Sequence, residues 1–102
     1  MSHSSKPTTQ RDQASAMEFI PPETLRIGGR DHRVGGVVYR LLRALFQVPA
    51  RAKSIVALEE EVWGGPVSRN TIWSACRRAR AVLARLNHPL RVAIDGDRVA
   101  LV

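Results

Sequence analysis

Cysteine is almost absent from this 102-residue sequence, where Cys76 stands alone. A single thiol cannot close an internal disulfide, and it cannot by itself supply a zinc site. The three histidines, His3, His32 and His88, show no His–His or His–carboxylate spacing of the metal-ligand kind. Long apolar runs are missing too. Nothing approaches the roughly 20 residues of a membrane-spanning helix, and no apolar core of a secretion signal precedes Met17. A cytoplasmic protein that does not engage a membrane is the expectation. Gly28-Gly29 and Gly35-Gly36 lack the spacing of a phosphate-binding loop, and no nucleophile motif is visible. Neither a cofactor nor a metal is called for, and the sequence reads as something other than an enzyme.

The most telling absence is of negative charge. The chain carries 16 Lys and Arg against 9 Asp and Glu, a net +7. Between Ser68 and Leu90 there is no acidic residue at all, and from Arg69 to Val102 seven arginines face two aspartates, a net +5. A surface helix shaped only by solubility mixes both signs. A segment of one sign is the electrostatic footprint of a polyanion binder.

What is present suffices for one small domain and a tail. Hydrophobic residues make up 44%, enough for a globular core. The first 18 residues are rich in Ser, Thr and Gln, with Lys6 among them and no apolar periodicity, and Pro21-Pro22 punctuates the chain. Residues 1–22 are therefore expected to be a disordered tail and residues 23–102 the domain. Thr24–Ile27 and Asp31–Val34, on either side of Gly28-Gly29-Arg30, read as a short hairpin. Val38, Leu41, Leu42 and Leu45 recur at helical spacing in a first helix over Val37–Gln47 that Pro49 stops. Ser54 is a good N-cap for a second, with Ile55, Leu58 and Val62 apolar, Trp63 at its end in the core, and Glu59-Glu60-Glu61 as a solvated acidic face. Gly64-Gly65-Pro66 ends it.

The third helix, about 68–86, opens at Ser68, with Val67 placed to staple onto Ile72. At 100° per residue Ile72, Ala75, Cys76, Ala79, Val82, Leu83 and Leu86 fall on one stripe, which makes Cys76 a buried structural thiol. Asn70, Ser74, Arg77 and Ala81 lie opposite; Trp73, Arg69 and Arg80 flank one edge and Arg78 and Arg85 the other. Finally, Asp95-Gly96 between two apolar–polar runs is a strong hairpin signal for 90–102. The order is hairpin, helix, helix, helix, hairpin: an α+β fold of the winged helix-turn-helix type, with an N-terminal β-hairpin, three helices and a C-terminal β-hairpin wing.

The outer face of the third helix suits the major groove of double-stranded DNA. Asn pairs bidentately with adenine and Arg with guanine, while Ser74 and Ala81 are small enough for close approach. Arg69, Arg78, Arg80 and Arg85 sit where phosphates would run. Trp73 either packs on the protein or stacks on sugar and base. Arg91 and Arg98, one on each arm of the wing, either meet backbone and minor groove or face solvent.

The stretch Val34–Leu45 (VGGVVYRLLRAL), Ser54–Leu58, Val62-Trp63-Gly64, Val67–Ile72 and Arg77–Arg80 resembles the winged-helix effector domain of bacterial response regulators of the OmpR/PhoB type, over Thr24 to Val102. The resemblance implies a recognition helix in which Arg69, Asn70, Trp73, Ser74 and Arg77 face DNA and Thr71 and Arg80 bind backbone phosphate, with homodimeric or tandem binding on direct repeats. It departs from the family in lacking a receiver domain, in Asn70 where Arg is common, in Asp97-Arg98-Val99 at the end of the wing, in an N-terminal sheet reduced to one hairpin, and in a second-to-third-helix link of only Gly64-Gly65-Pro66. That short link favours repression or an architectural role over direct activation. The expected function is thus sequence-specific, nucleoid-associated transcription regulation. The alternatives are a winged-helix protein-interaction module, in which Trp73 anchors an acidic partner, and a non-specific nucleic-acid binder.

Overall fold

In the computed structural model, which describes residues 17–102, the described residues form an α+β domain of three helices and two small antiparallel sheets. Strands β1 (Glu18–Ile20), β2 (Thr24–Ile27) and β3 (Arg30–Arg33) form the first sheet in sequence order. Ile27 pairs with Arg30 around Gly28-Gly29, whose φ values of +60° and +78° are what a two-residue hairpin with both central residues left-handed demands. Opposite each other on the ladder, Arg26 and Asp31 form an ion pair at 2.7 Å. The hydrogen bond from Arg26 holds the Asp31 carboxyl below its ordinary pKa.

The expected tail therefore ends too late. Residues 1–16 lie outside the described residues, but Met17 is buried in the core and β1 pairs with β2, Phe19 opposite Leu25. Phe19 sets its ring edge-on to Tyr39 at 5.7 Å and tilted against Phe46 at 5.6 Å. Two large apolar side chains, Met17 and Phe19, thus tie down a strand too short to show periodicity in the sequence. Pro21-Pro22 belongs to the turn between β1 and β2, and the expected hairpin is a three-stranded sheet.

Helix α1 (Gly36–Phe46) buries Val38, Tyr39, Leu41, Leu42, Ala44 and Leu45. After it, β4 (Ala52–Ser54) is an element that three mixed residues gave no reason to expect. Ser54 then caps α2 (Ile55–Leu58), its Oγ accepting from the Ala57 N–H at 3.2 Å. The helix continues as a π-helical turn over Glu59–Trp63 and stops at left-handed Gly64, φ +77°. Glu59 and Glu61 are not merely solvated: Glu59 accepts from the Val67 N–H, and Glu61 pairs with Lys53. Helix α3 (Arg69–Arg85) is capped by Ser68, whose Oγ accepts from the Thr71 N–H at 3.2 Å.

Strands β5 (Val92–Asp95) and β6 (Arg98–Leu101) close the chain. Their two-residue loop is Gly96-Asp97 rather than Asp95-Gly96, because Asp95 pairs with Arg98. Gly96, at φ +60°, takes the first loop position. The second sheet runs β4-β6-β5, so the last strand is its centre. One core joins both sheets and all three helices, with Leu25, Leu41, Leu42, Leu45, Leu58, Ile72, Leu83, Val92 and Val99 almost wholly buried.

Two outcomes follow for stability in urea. Met17→Ala is expected to cost about 2–4 kcal/mol with an unchanged denaturant slope, the usual result of truncating a buried Met; no loss would return Met17 to the tail. The Tyr39 hydroxyl is buried without a hydrogen-bond partner among the described residues. Tyr39→Phe is therefore expected to leave stability unchanged or raise it by up to about 1 kcal/mol, since it removes an unpaid desolvation; a clear loss would show a partner for the hydroxyl.

Candidate nucleic-acid interface

The site is built outward from the buried side of α3. Ile72, Ala75, Cys76, Ala79, Val82 and Leu83 are all buried, and Leu86 packs against the same core half-buried. Burial pushes the Cys76 thiol above its ordinary pKa, with the Arg80 charge opposing, so the thiol is neutral and structural. Once that stripe is sealed, the 3.6-residue period forces Asn70, Ser74, Arg77 and Ala81 to the outside, and all four are exposed. The side chains expected at the centre of the interface do share one open face.

The flanks differ from each other. On the edge toward the C-terminal hairpin the arginines are tethered. Arg80 donates its Nε to the Val92 carbonyl at 3.1 Å. Arg69 lies 3.5 Å from the Asp97 carboxylate and 5.9 Å from the centre of the Trp73 ring. Trp73 itself is half-buried and packs against the core, in agreement with the first of its two readings. Thr71 is half-buried within the helix cap, its Oγ1 2.9 Å from the Ser68 Oγ. On the opposite edge, Arg78 and Arg85 are exposed and line a groove against the β3–α1 junction, where Arg33 joins them.

The hairpin arginines are not brought together. Arg98 follows the turn, opposite Asp95 and Ser54. Arg91 sits at the other end of the sheet, exchanging backbone hydrogen bonds with Val102 at 2.8 Å, about 13 Å away at 3.3 Å per strand residue. Arg91 instead shares a cleft with Arg80, Asn87, His88 and Leu90. The turn is pinned as well, for the Asp97 carbonyl accepts from the Ile55 N–H at 2.7 Å. Two residues outside the expected set thus matter to the charge pattern: Asp97, which in the sequence falls just past the expected Asp95-Gly96 turn, and Arg33, whose approach to α3 depends on the chain folding back and has no local signal.

Among the described residues, no group of three or more His, Cys, Asp or Glu is placed to hold a metal, and no helix is long and apolar enough to cross a membrane. No protein-family model, curated protein or solved structure matches the chain.

The tethered and untethered arginines should separate in unfolding experiments. Arg80→Met is expected to lower stability by about 1 kcal/mol, because a charged donor to a partly buried carbonyl is lost. Arg77→Met should stay within about 0.5 kcal/mol of the parent, as surface changes do. Equal losses at both positions would mean that the Arg80–Val92 bond is not what distinguishes them.

Proposed function

We propose that the protein is a winged helix-turn-helix DNA-binding protein and acts as a transcription regulator, with α3 as the recognition helix and the β5–β6 hairpin as a short wing. The observation that carries this reading is the outer face of α3. Asn70, Ser74, Arg77 and Ala81 form a continuous exposed strip opposite the buried stripe, in a helix with no acidic residue, and arginines stand on both its edges. A strip of this kind offers hydrogen-bond donors to base edges where small side chains leave room for the groove, while flanking cations meet phosphates. The order of elements supports the same reading: α2, a glycine turn, α3, then a hairpin that packs beside α3. The resemblance of the motifs in residues 24–102 to OmpR/PhoB-type effector domains, drawn from the sequence alone, points the same way.

Within this reading the residues divide by role. Asn70 and Arg77 read bases, and Ser74 permits approach. Arg78 contacts backbone. Arg69 reaches DNA after exchanging Asp97 for a phosphate or base, and the exposed pair is weak enough to exchange. Arg80 and Arg91 together present charge on the wing side. Because Arg98 lies beside the pinned turn, the wing meets backbone rather than probing deeply into a minor groove.

Selection from a pool of random duplexes, followed by titration at two salt concentrations, tests the proposal. A single enriched motif and a steep salt dependence are expected. Asn70→Ala and Arg77→Ala should each cost about 1–3 kcal/mol on the selected site and relax preference at one position. Arg78→Ala should weaken all duplexes alike. Binding without an enriched motif would reduce the protein to a non-specific binder, and no binding at low salt would remove DNA as the partner.

A further inference from the structure

A groove of about 420 Å³ runs between α3 and the β3–α1 junction, with Arg33, Gly35, Gly36, Val37, Arg78 and Arg85 among its lining. Three arginines from two elements distant in sequence converge on it, and no Asp or Glu lines it. Arg78 and Arg85 are seven positions apart on α3, two turns and about 10 Å along the axis on one side of the helix. Across the groove, the Arg33 side chain is 81% exposed, with its Nε held by Glu23 at 2.7 Å. Counting that carboxylate, the groove and its rim keep a net positive charge. The walls between the arginines are glycine and valine, so an approaching group meets little bulk.

The contrast with the other edge of α3 gives the groove its meaning. There, Arg69 is near Asp97 and Arg80 is bonded to the Val92 carbonyl. Of the arginines that flank the exposed strip of α3, Arg78 and Arg85 on the groove side have neither kind of tether, and across the groove Arg33 keeps most of its side chain in solvent despite the Glu23 contact. We propose that this groove is the main backbone clamp of the protein: Arg33, Arg78 and Arg85 engage consecutive phosphodiesters of one strand of duplex DNA, and Arg33, outside the helix-turn-helix altogether, is a direct contact residue. Guanidinium groups match phosphate oxygens bidentately, which fixes register as well as adding charge. The start of α1 adds to the site, since Gly35 caps it without a side-chain hydrogen bond and its first turn holds no acidic residue. The proposal rests on α3 being a DNA-binding helix. It also sets the orientation of the duplex, with one strand lying over the β3–α1 junction and the other facing the wing.

The test is fluorescence anisotropy of one labelled duplex with the full chain across a series of salt concentrations. Parent protein, Arg33→Gln, Arg33→Lys and Arg30→Gln are compared, with urea unfolding to verify equal folding. Arg30 is the charge-matched control, an exposed residue on the same strand that does not line the groove. The expected result for Arg33→Gln is several-fold weaker binding and a salt slope smaller by about 0.9, one phosphate contact. Arg33→Lys should recover the slope and only part of the affinity, and Arg30→Gln should leave the slope unchanged. If Arg33→Gln and Arg30→Gln behave alike, the clamp is overturned while a parent that binds steeply preserves DNA binding by α3. If the parent binds no duplex, both fail together.

Discussion

Everything on the surface of this protein depends on one buried contact, the stripe of α3 laid into the core. Three of its members, Ala75, Cys76 and Ala79, are small and fully sealed, and Ile72, Val82 and Leu83 fill the space around them. Burying six side chains on one side of a 17-residue helix leaves no rotational freedom about its axis. The exposed strip is therefore a consequence of the core, and a polar substitution in the stripe would disturb the interface without touching it. The helix is also fixed at both ends, by the Ser68 cap and by the His88 N–H bonding the Leu83 carbonyl at 2.9 Å.

The charge on that strip is then sorted by its neighbours. A guanidinium in water interacts with any phosphate, but one already bonded to a carbonyl or carboxylate must exchange a partner to do so. Arg69 and Arg80 belong to the second kind and Arg78 and Arg85 to the first. Helix symmetry alone would make the two edges equivalent; the C-terminal hairpin breaks that equivalence by supplying both Asp97 and the Val92 carbonyl. The hairpin is held rigidly because β6 is the central strand of its sheet and the turn bonds to the start of α2. In the proposed mode of binding, the wing's effect is felt through the arginines it restrains as much as through those it carries.

Much of this was legible in the residues. The helical period placed all three helices nearly to their ends, because each buries a clear stripe and two begin at a serine cap. Gly28-Gly29 marked one hairpin and Asp95-Gly96 the other, and the acid-free run from Ser68 to Leu90 marked the exposed face. The failures share one cause. β1 and β4 have three residues each, too few for alternation to rise above chance, and each exists because another strand offers it hydrogen bonds, β2 just across the Pro21-Pro22 turn and β6 at the far end of the chain. The Gly96-Asp97 turn is displaced by one residue because register is set by the pairing of whole strands, with Val92, Val99 and Leu101 buried, and not by the dipeptide alone.

The sequence by itself determined the helices, their caps, the sealed side of α3 and the sign of its open side, since each follows from residue type and spacing over a few turns. Only the tertiary structure decided which arginines are tethered and which share a groove. Arg33 and Arg78 stand 45 positions apart in the chain, Arg69 and Asp97 stand 28 apart, and no local pattern encodes a distance that exists only after the core has closed.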